Sequence, residues 1–345
     1  LNIPVGLLVV LGIVRALPET RDLTAAPGRD LLGVALSMIG MGAIVFALIE
    51  AQAFGWWRTD SGGLSPVPLV LAGGVIALVV FVLHERRRAA AGAPVLVDLR
   101  LFAIPTFSAG VVAALIVAFG EFGLLFTLPL LLQGTLGYSA LQTGWVIVAL
   151  ALGTFIISGA LPQISKRLSQ RTVVQVGLGL EALAVGALAL TISTDITTWL
   201  LCALLFLYGV GVGMATAQLT SLLLHDVPVG ESGLASGLQS SVRQLGSALG
   251  VAVLGGFLIA SLGRTTQSNL AALSLPTDVV DRVTAAVTDS AGTAIAGLQA
   301  QPGGAAIAQA AGDAMIHASR LTTGLAAIAL VVGLLATFRL PRSAD

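Results

Sequence analysis

A single cysteine, Cys202, stands in an apolar run, so the sequence offers neither a disulfide framework nor a thiolate metal cluster. Charge is scarce too. Asp, Glu, Lys and Arg make up 10% of the 345 residues, against about 25% in ordinary soluble domains. Formal net charge is zero and no basic–aromatic patch is present, which removes the usual footprint of a nucleic-acid binder. Lysine is nearly missing: Lys166 is alone among 17 basic side chains, which with so much Ala, Gly and Val fits a high-GC bacterial genome. No Walker A loop or Gly-x-Ser-x-Gly elbow occurs, and His84-Glu85 is not followed by the second histidine of a zinc-protease helix. His84, His225 and His317 fall in different loops or on opposite sides, so no shared metal is expected. Enzymatic chemistry, ATP-driven transport and a bound cofactor are likewise not expected.

Apolar residues, at 56%, are what the chain has in excess. They leave too few polar residues to cover a soluble surface. Cut at turn signals and charges, they fall into nine segments: 1–17, 31–53, 67–83, 106–132, 139–161, 172–192, 198–224, 232–262 and 319–338. None alternates with period two as a barrel strand does, and each is long enough for a helix, the form that satisfies its own backbone in lipid. The expected fold class is therefore an all-α polytopic membrane protein of about nine transmembrane helices. Segment 1–17 is short and the chain opens on Leu1 within an apolar run, so an N-terminal part is expected to be missing.

Basic residues set the orientation. If segment 1–17 ends in the cytoplasm, that side collects twelve of the basic side chains, including Arg86, Arg87, Arg88, Lys166 and Arg167. The outside then receives Arg58, Arg264, Arg282 and Arg320. Trp56, Trp57, Trp145 and Trp199 all fall at outer helix ends, where indoles favour the interface. Two loops are long. The cytoplasmic one, 84–104, carries Arg86–Arg88 toward the anionic leaflet. The external one, 263–318, is Ala-rich and is expected to form surface helices or a partly ordered flap.

Polar groups inside spans are the candidates for function. Segment 232–262 carries Ser236, Gln239, Ser240, Arg243 and Ser247 at spacings of three and four, which a helix gathers on one face. The same segment holds two small-xxx-small pairs, Gly233/Gly237 and Gly246/Gly250, expected to let helices approach closely. Glu121 lies mid-span in 106–132, and burial there favours its neutral form unless it is paired. Arg243 enters to a similar depth, so the two are plausible partners across the bundle. Glu181, Gln239 and Gln218 complete the set of proton-coupling or cavity residues, with Glu181 expected near the periphery. Pro129 is expected to kink its helix. The Gly209, Gly211 and Gly213 run lacks the strand context of a dinucleotide loop and is expected to pack helices.

Three stretches carry a family resemblance. PVLVDLRLFAIPTF (94–107), LPLLLQGTLGYS (128–139) and LQTG (141–144) form the first. VPVGESGLASGLQSSVRQLGSALG (227–250) is the second, and NIPVG (2–6) with LPETRD (17–22) the third. Together they resemble the fourteen-helix drug:proton antiporter branch of the major facilitator superfamily, helices six to fourteen. The resemblance implies three parts. Residues 1–17 end a truncated N-terminal bundle, 18–104 hold the central helix pair and cytoplasmic linker, and 105–345 form a C-terminal six-helix bundle with the external loop 263–318. One departure stands out: the loop 162–171 reads PQISKRLSQR, with Lys166 and Ser169 where the family has an acid and a glycine, leaving a basic anchor.

The implied function is proton-coupled multidrug efflux of amphipathic or cationic compounds across the cytoplasmic membrane. Its partners are a small-molecule substrate, protons, the lipid bilayer and the missing N-terminal bundle. The alternatives are a dedicated exporter of one natural product or metabolite, and a non-transporting or degraded membrane scaffold.

Overall fold

The computed structural model describes residues 2–16, 30–57, 63–299 and 303–338. Every regular element among them is helical. Among the described residues, eight helices are long and apolar enough to cross a bilayer. They are α2 (Leu31–Phe54), α3 (Val67–Ala90), α4 (Pro105–Gly134), α5 (Ala140–Ile164), α6 (Gln170–Thr191), α7 (Thr198–Leu224), α8 (Ser232–Ala271) and α11 (Ala305–Thr337). The ninth expected span forms α1 (Asn2–Ala16), which is shorter than the about 20 residues a crossing needs, and its described side chains are exposed.

Helix starts follow local chemistry. Asp30 caps α2 by accepting from the Gly33 N–H, and Ser169 caps α6 by accepting from the Thr172 N–H. Ser139 and Gln142 satisfy each other's backbone donors in a reciprocal capping box that starts α5. Gly137, at φ +70°, turns the chain just before it, a conformation glycine adopts without strain.

Helices α4, α5, α6, α7, α8 and α11 pack into one bundle, with α4 in its interior against α8 and α11. The α2–α3 hairpin lies beside it and touches α8. Outward faces carry large apolar side chains, such as Phe155 on α5 and Leu190 on α6, which a bilayer covers. Trp56, Trp57, Trp145 and Trp199 are all exposed at helix ends, as an interfacial belt requires.

Glycines set the seams. A methyl on Gly209 or Gly213 would strike α5 at Leu150 or Thr154, and one on Gly211 would strike α6 at Gly177 and Glu181. The alternating run thus seats α7 against two neighbours at once.

The described part of the loop expected outside the membrane, 263–318, is mostly helix. Helix α8 continues to Ala271 and α11 begins at Ala305, with α9 (Thr277–Asp289) and α10 (Ala294–Gln299) between them. At 40 residues α8 is about 60 Å long, roughly twice the hydrocarbon thickness, so its C-terminal part stands outside. Val287 and Ile295 are buried in the same apolar cluster as Leu258 and Leu262 of α8 and Met315 of α11, and Asn269 donates to the Ala310 carbonyl, so this cap is continuous with the bundle core. Gly134, at the end of α4, meets the Gly292 backbone of the cap.

Candidate functional site in the α4–α8 seam

Parallel helices α4 and α8 touch backbone to backbone. A methyl on Gly246 would strike the Leu115 carbonyl, one on Gly250 the Phe119 carbonyl, and one on Gly123 the Leu254 side chain. The pair Gly246/Gly250 therefore works as a close-approach motif. The other pair does not: Gly233 and Gly237 have open space where a side chain would go. They line an apolar cavity of 680 Å³ between α8 and the α2–α3 hairpin, together with Met38, Met41, Phe81 and Ser241. None of the five candidate residues lines that cavity.

Beside the seam, Glu121 on α4 faces Arg243 on α8. Arg243 Nη2 lies 3.7 Å from Glu121 Oε2, an ion pair too long for a hydrogen bond. Glu121 Oε2 is buried and has no hydrogen-bond donor among the described residues. The two side chains differ in access: Glu121 is 11% exposed and Arg243 40%. The acid is thus enclosed while its counter-ion borders an open face. Such an arrangement holds a charge without locking it, because one partner can move.

The remaining candidates divide. Gln239 is buried and donates from Nε2 to Thr220 Oγ1 at 2.8 Å, cross-linking α8 to α7. Gln218 donates to Ser165 Oγ at 3.2 Å, tying the cytoplasmic ends of α7 and α5. Glu181 corrects an expectation. Instead of lying near the periphery it is fully buried between α6 and α7 at Gly211, and neither carboxyl oxygen has a donor among the described residues. It lies close enough to Glu121 and Tyr208 to interact with both electrostatically. Buried carboxyls that lack partners are costly in lipid and mark functional positions. Helix α4 runs unbroken through Pro129 to Gly134.

Two features escaped the sequence reading. Tyr208 is fully buried with a hydroxyl that has no partner among the described residues, beside Glu181. Its place in an apolar run hid it, although a tyrosine in mid-span is itself a polar signal. The second is a cluster at one end of the α2–α3 hairpin. Asp30, His84 and Glu85 bring one ligand atom each within 4.8 Å of one another, with Arg88 3.3 Å from Asp30 Oδ2. His225 and His317 take no part. No local motif announces this cluster, because its members come from opposite strands of the α2–α3 hairpin.

Four ionisable groups outside the spans are tuned by their contacts. Burial pushes the Asp30 carboxyl up, but the Gly33 N–H, Glu85, His84 and Arg88 outweigh it and hold it at about 2. Asp98 is lowered by its hydrogen bonds from Arg100, and the same pairing raises Arg100. Asp226 is lowered by Thr106 Oγ1, which donates at 2.7 Å, and by His225. That bond ties the start of α4 to the α7–α8 loop.

Residues 30–251 match the family model described as Major Facilitator Superfamily. Among curated proteins, the chain is 32% identical over 277 residues to the "Probable actinorhodin transporter" of Streptomyces coelicolor, covering 78% of this chain and 46% of that protein. It is 30% identical over 292 residues to the "Tetracenomycin C resistance and export protein" of Streptomyces glaucescens, covering 84% of this chain and 52% of that one. It is 29% identical over 269 residues to the "Multidrug resistance protein Stp" of Mycobacterium tuberculosis, covering 78% and 48%. The chain therefore spans about half the length of the curated relatives it matches.

Proposed function

Because the chain belongs to the major facilitator superfamily, in its drug:proton antiporter branch, and is a multi-pass membrane protein, we propose that it is the C-terminal part of a proton-coupled exporter of amphipathic or cationic small molecules. The observation that carries this reading is the Glu121–Arg243 pair, an enclosed acid facing a half-exposed cation in mid-membrane. Deprotonated, Glu121 is held by Arg243 and the α4–α8 seam stays closed around the pair. When a proton reaches Glu121, the carboxyl becomes neutral and Arg243 is free to turn toward the open face. A cationic substrate that then approaches the neutral carboxyl favours its charged form, and the proton is released. Glu181 and Tyr208 are buried within electrostatic reach of Glu121 and give the proton a second buried acid to interact with. The cycle is assigned to this chain acting with the other half of the fold, since alternating access rocks two bundles around a midplane site.

Proteoliposomes holding the transporter under an imposed pH gradient test this. Wild type is expected to move a fluorescent lipophilic cation uphill. Glu121→Gln is expected to lose uphill movement while keeping downhill exchange, and unchanged uphill transport would reject the proton role.

A second reading has support of its own. Two of the three relatives carry names tied to one compound each, actinorhodin and tetracenomycin C, which favours a dedicated exporter of a single compound. Susceptibility of a host strain to a panel of unrelated compounds separates the two. Protection against several classes supports the multidrug reading, and protection against one class alone supports the dedicated one.

A further inference from the structure

At one end of the α2–α3 hairpin, two enclosed carboxyl groups, of Asp30 and Glu85, face each other across Gly33. Glu85 is 1% exposed and spends Oε2 on the backbone N–H groups of Leu96 (2.7 Å) and Val97 (3.0 Å). Its other oxygen, Oε1, has no hydrogen-bond partner among the described residues, and neither has Asp30 Oδ2. Both atoms converge on Gly33: a methyl there would lie 2.5 Å from Asp30 Oδ2 and 2.7 Å from Glu85 Oε1. The glycine leaves room where any other residue would fill the gap. His84 closes the third side, with Nε2 3.1 Å from Asp30 Oδ1.

We propose that Asp30, His84 and Glu85 form a binding site for a divalent transition-metal ion, zinc above all, that clamps the central helix pair to the segment leading into α4. The donor set argues for zinc. One imidazole nitrogen and two carboxylate oxygens are ligands of a borderline ion, whereas magnesium and calcium prefer oxygen alone. Spacing agrees. Ligands about 2.0–2.2 Å from a zinc ion stand roughly 3–4 Å apart, and the three ligand atoms here lie within 4.8 Å of one another. A small inward movement of the side chains closes the site.

Charge agrees as well. Two carboxylates face a single arginine, Arg88, whose Nε also donates to the Pro94 carbonyl at 3.0 Å and whose Nη2 does so at 2.8 Å. Arg88 therefore keeps hydrogen bonds of its own when a metal takes its place against Asp30. An ion here would join the start of α2 (Asp30), the end of α3 (His84 and Glu85) and, through Glu85 Oε2, the backbone at Leu96 and Val97. It would set the angle at which the hairpin meets the bundle.

Isothermal titration of the chelator-stripped full chain in detergent, with zinc chloride at pH 7 and magnesium chloride as the control, tests the proposal. One zinc per chain is expected with micromolar affinity and no magnesium binding. His84→Ala and Glu85→Gln are each expected to weaken zinc at least tenfold, while His225→Ala leaves it unchanged. X-ray absorption at the zinc edge of the wild type needs no variant to fold, and it is expected to show one imidazole nitrogen among oxygen ligands. No zinc binding would overturn the proposal and leave the two carboxyls sharing a proton. Binding lost only in His225→Ala, or a shell of two or more imidazoles, would also overturn it.

Discussion

Single side chains decide how this molecule handles charge in lipid. Removing Arg243 leaves Glu121 without its counter-ion. A fully buried pair broken this way costs about 3–5 kcal/mol, and the half-open position of Arg243 brings the expected loss for Arg243→Ala below that. The unfolding temperature in detergent should fall for Arg243→Ala, and Arg243→Ala/Glu121→Gln should recover part of the loss because no unpaired charge remains. At the cytoplasmic face, Thr106 and His225 hold the Asp226 carboxyl below its ordinary value. A group depressed in the folded state contributes stability above its unfolded pKa and loses it as pH falls through the folded one. The bond is therefore fully present at neutral pH. Thr106→Val should lower the unfolding temperature at pH 7, and the gap to wild type should narrow below about pH 4. An unchanged gap down to acid pH would show that Asp226 is not the group involved.

Helices were legible where apolar length marks them and less so where it does not. The expected segment 198–224 coincides with α7, and most others end within a few residues of the observed helices. The misses share a cause. Hydropathy stops at polar residues, whereas a helix that leaves the membrane continues as long as its backbone bonds and its new neighbours favour it. Hence α8 runs past 262 to Ala271, α11 starts at Ala305, and α3 carries His84–Arg88 on its last turns. Small-residue spacing was equally ambiguous: Gly246/Gly250 and Gly233/Gly237 read alike, but only the first meets a neighbouring backbone. This yields a contrast at the element scale. Gly250→Val forces α4 and α8 apart and should lower the unfolding temperature by the equivalent of about 1–3 kcal/mol or more. Gly237→Val points into open space and should cost little beyond the weak helix preference of valine. Differential scanning fluorimetry of the two variants in one detergent compares them directly.

At the scale of the whole molecule, the bundle wraps an acidic interior in apolar helices. Its outward faces fit lipid, a helical cap of α9 and α10 closes one end, and the α2–α3 hairpin flanks α8. Glu121, Glu181 and Tyr208 sit inside this bundle on α4, α6 and α7, three helices held together by the glycine seams. The sequence pointed to Glu121 and Arg243 because charge within a span is rare. It could not place Glu181, since which side of α6 is enclosed depends on α7 and its glycine run. The central claim is that Glu121 carries the proton that substrate exchanges for. Proton release is its most direct readout: ethidium is added to purified transporter in weakly buffered detergent at neutral pH, and the pH change is followed with an indicator dye. Wild type should release protons as ethidium binds, and Glu121→Gln should bind ethidium and release none. Equal release from Glu121→Gln would contradict the claim and move the proton to another group.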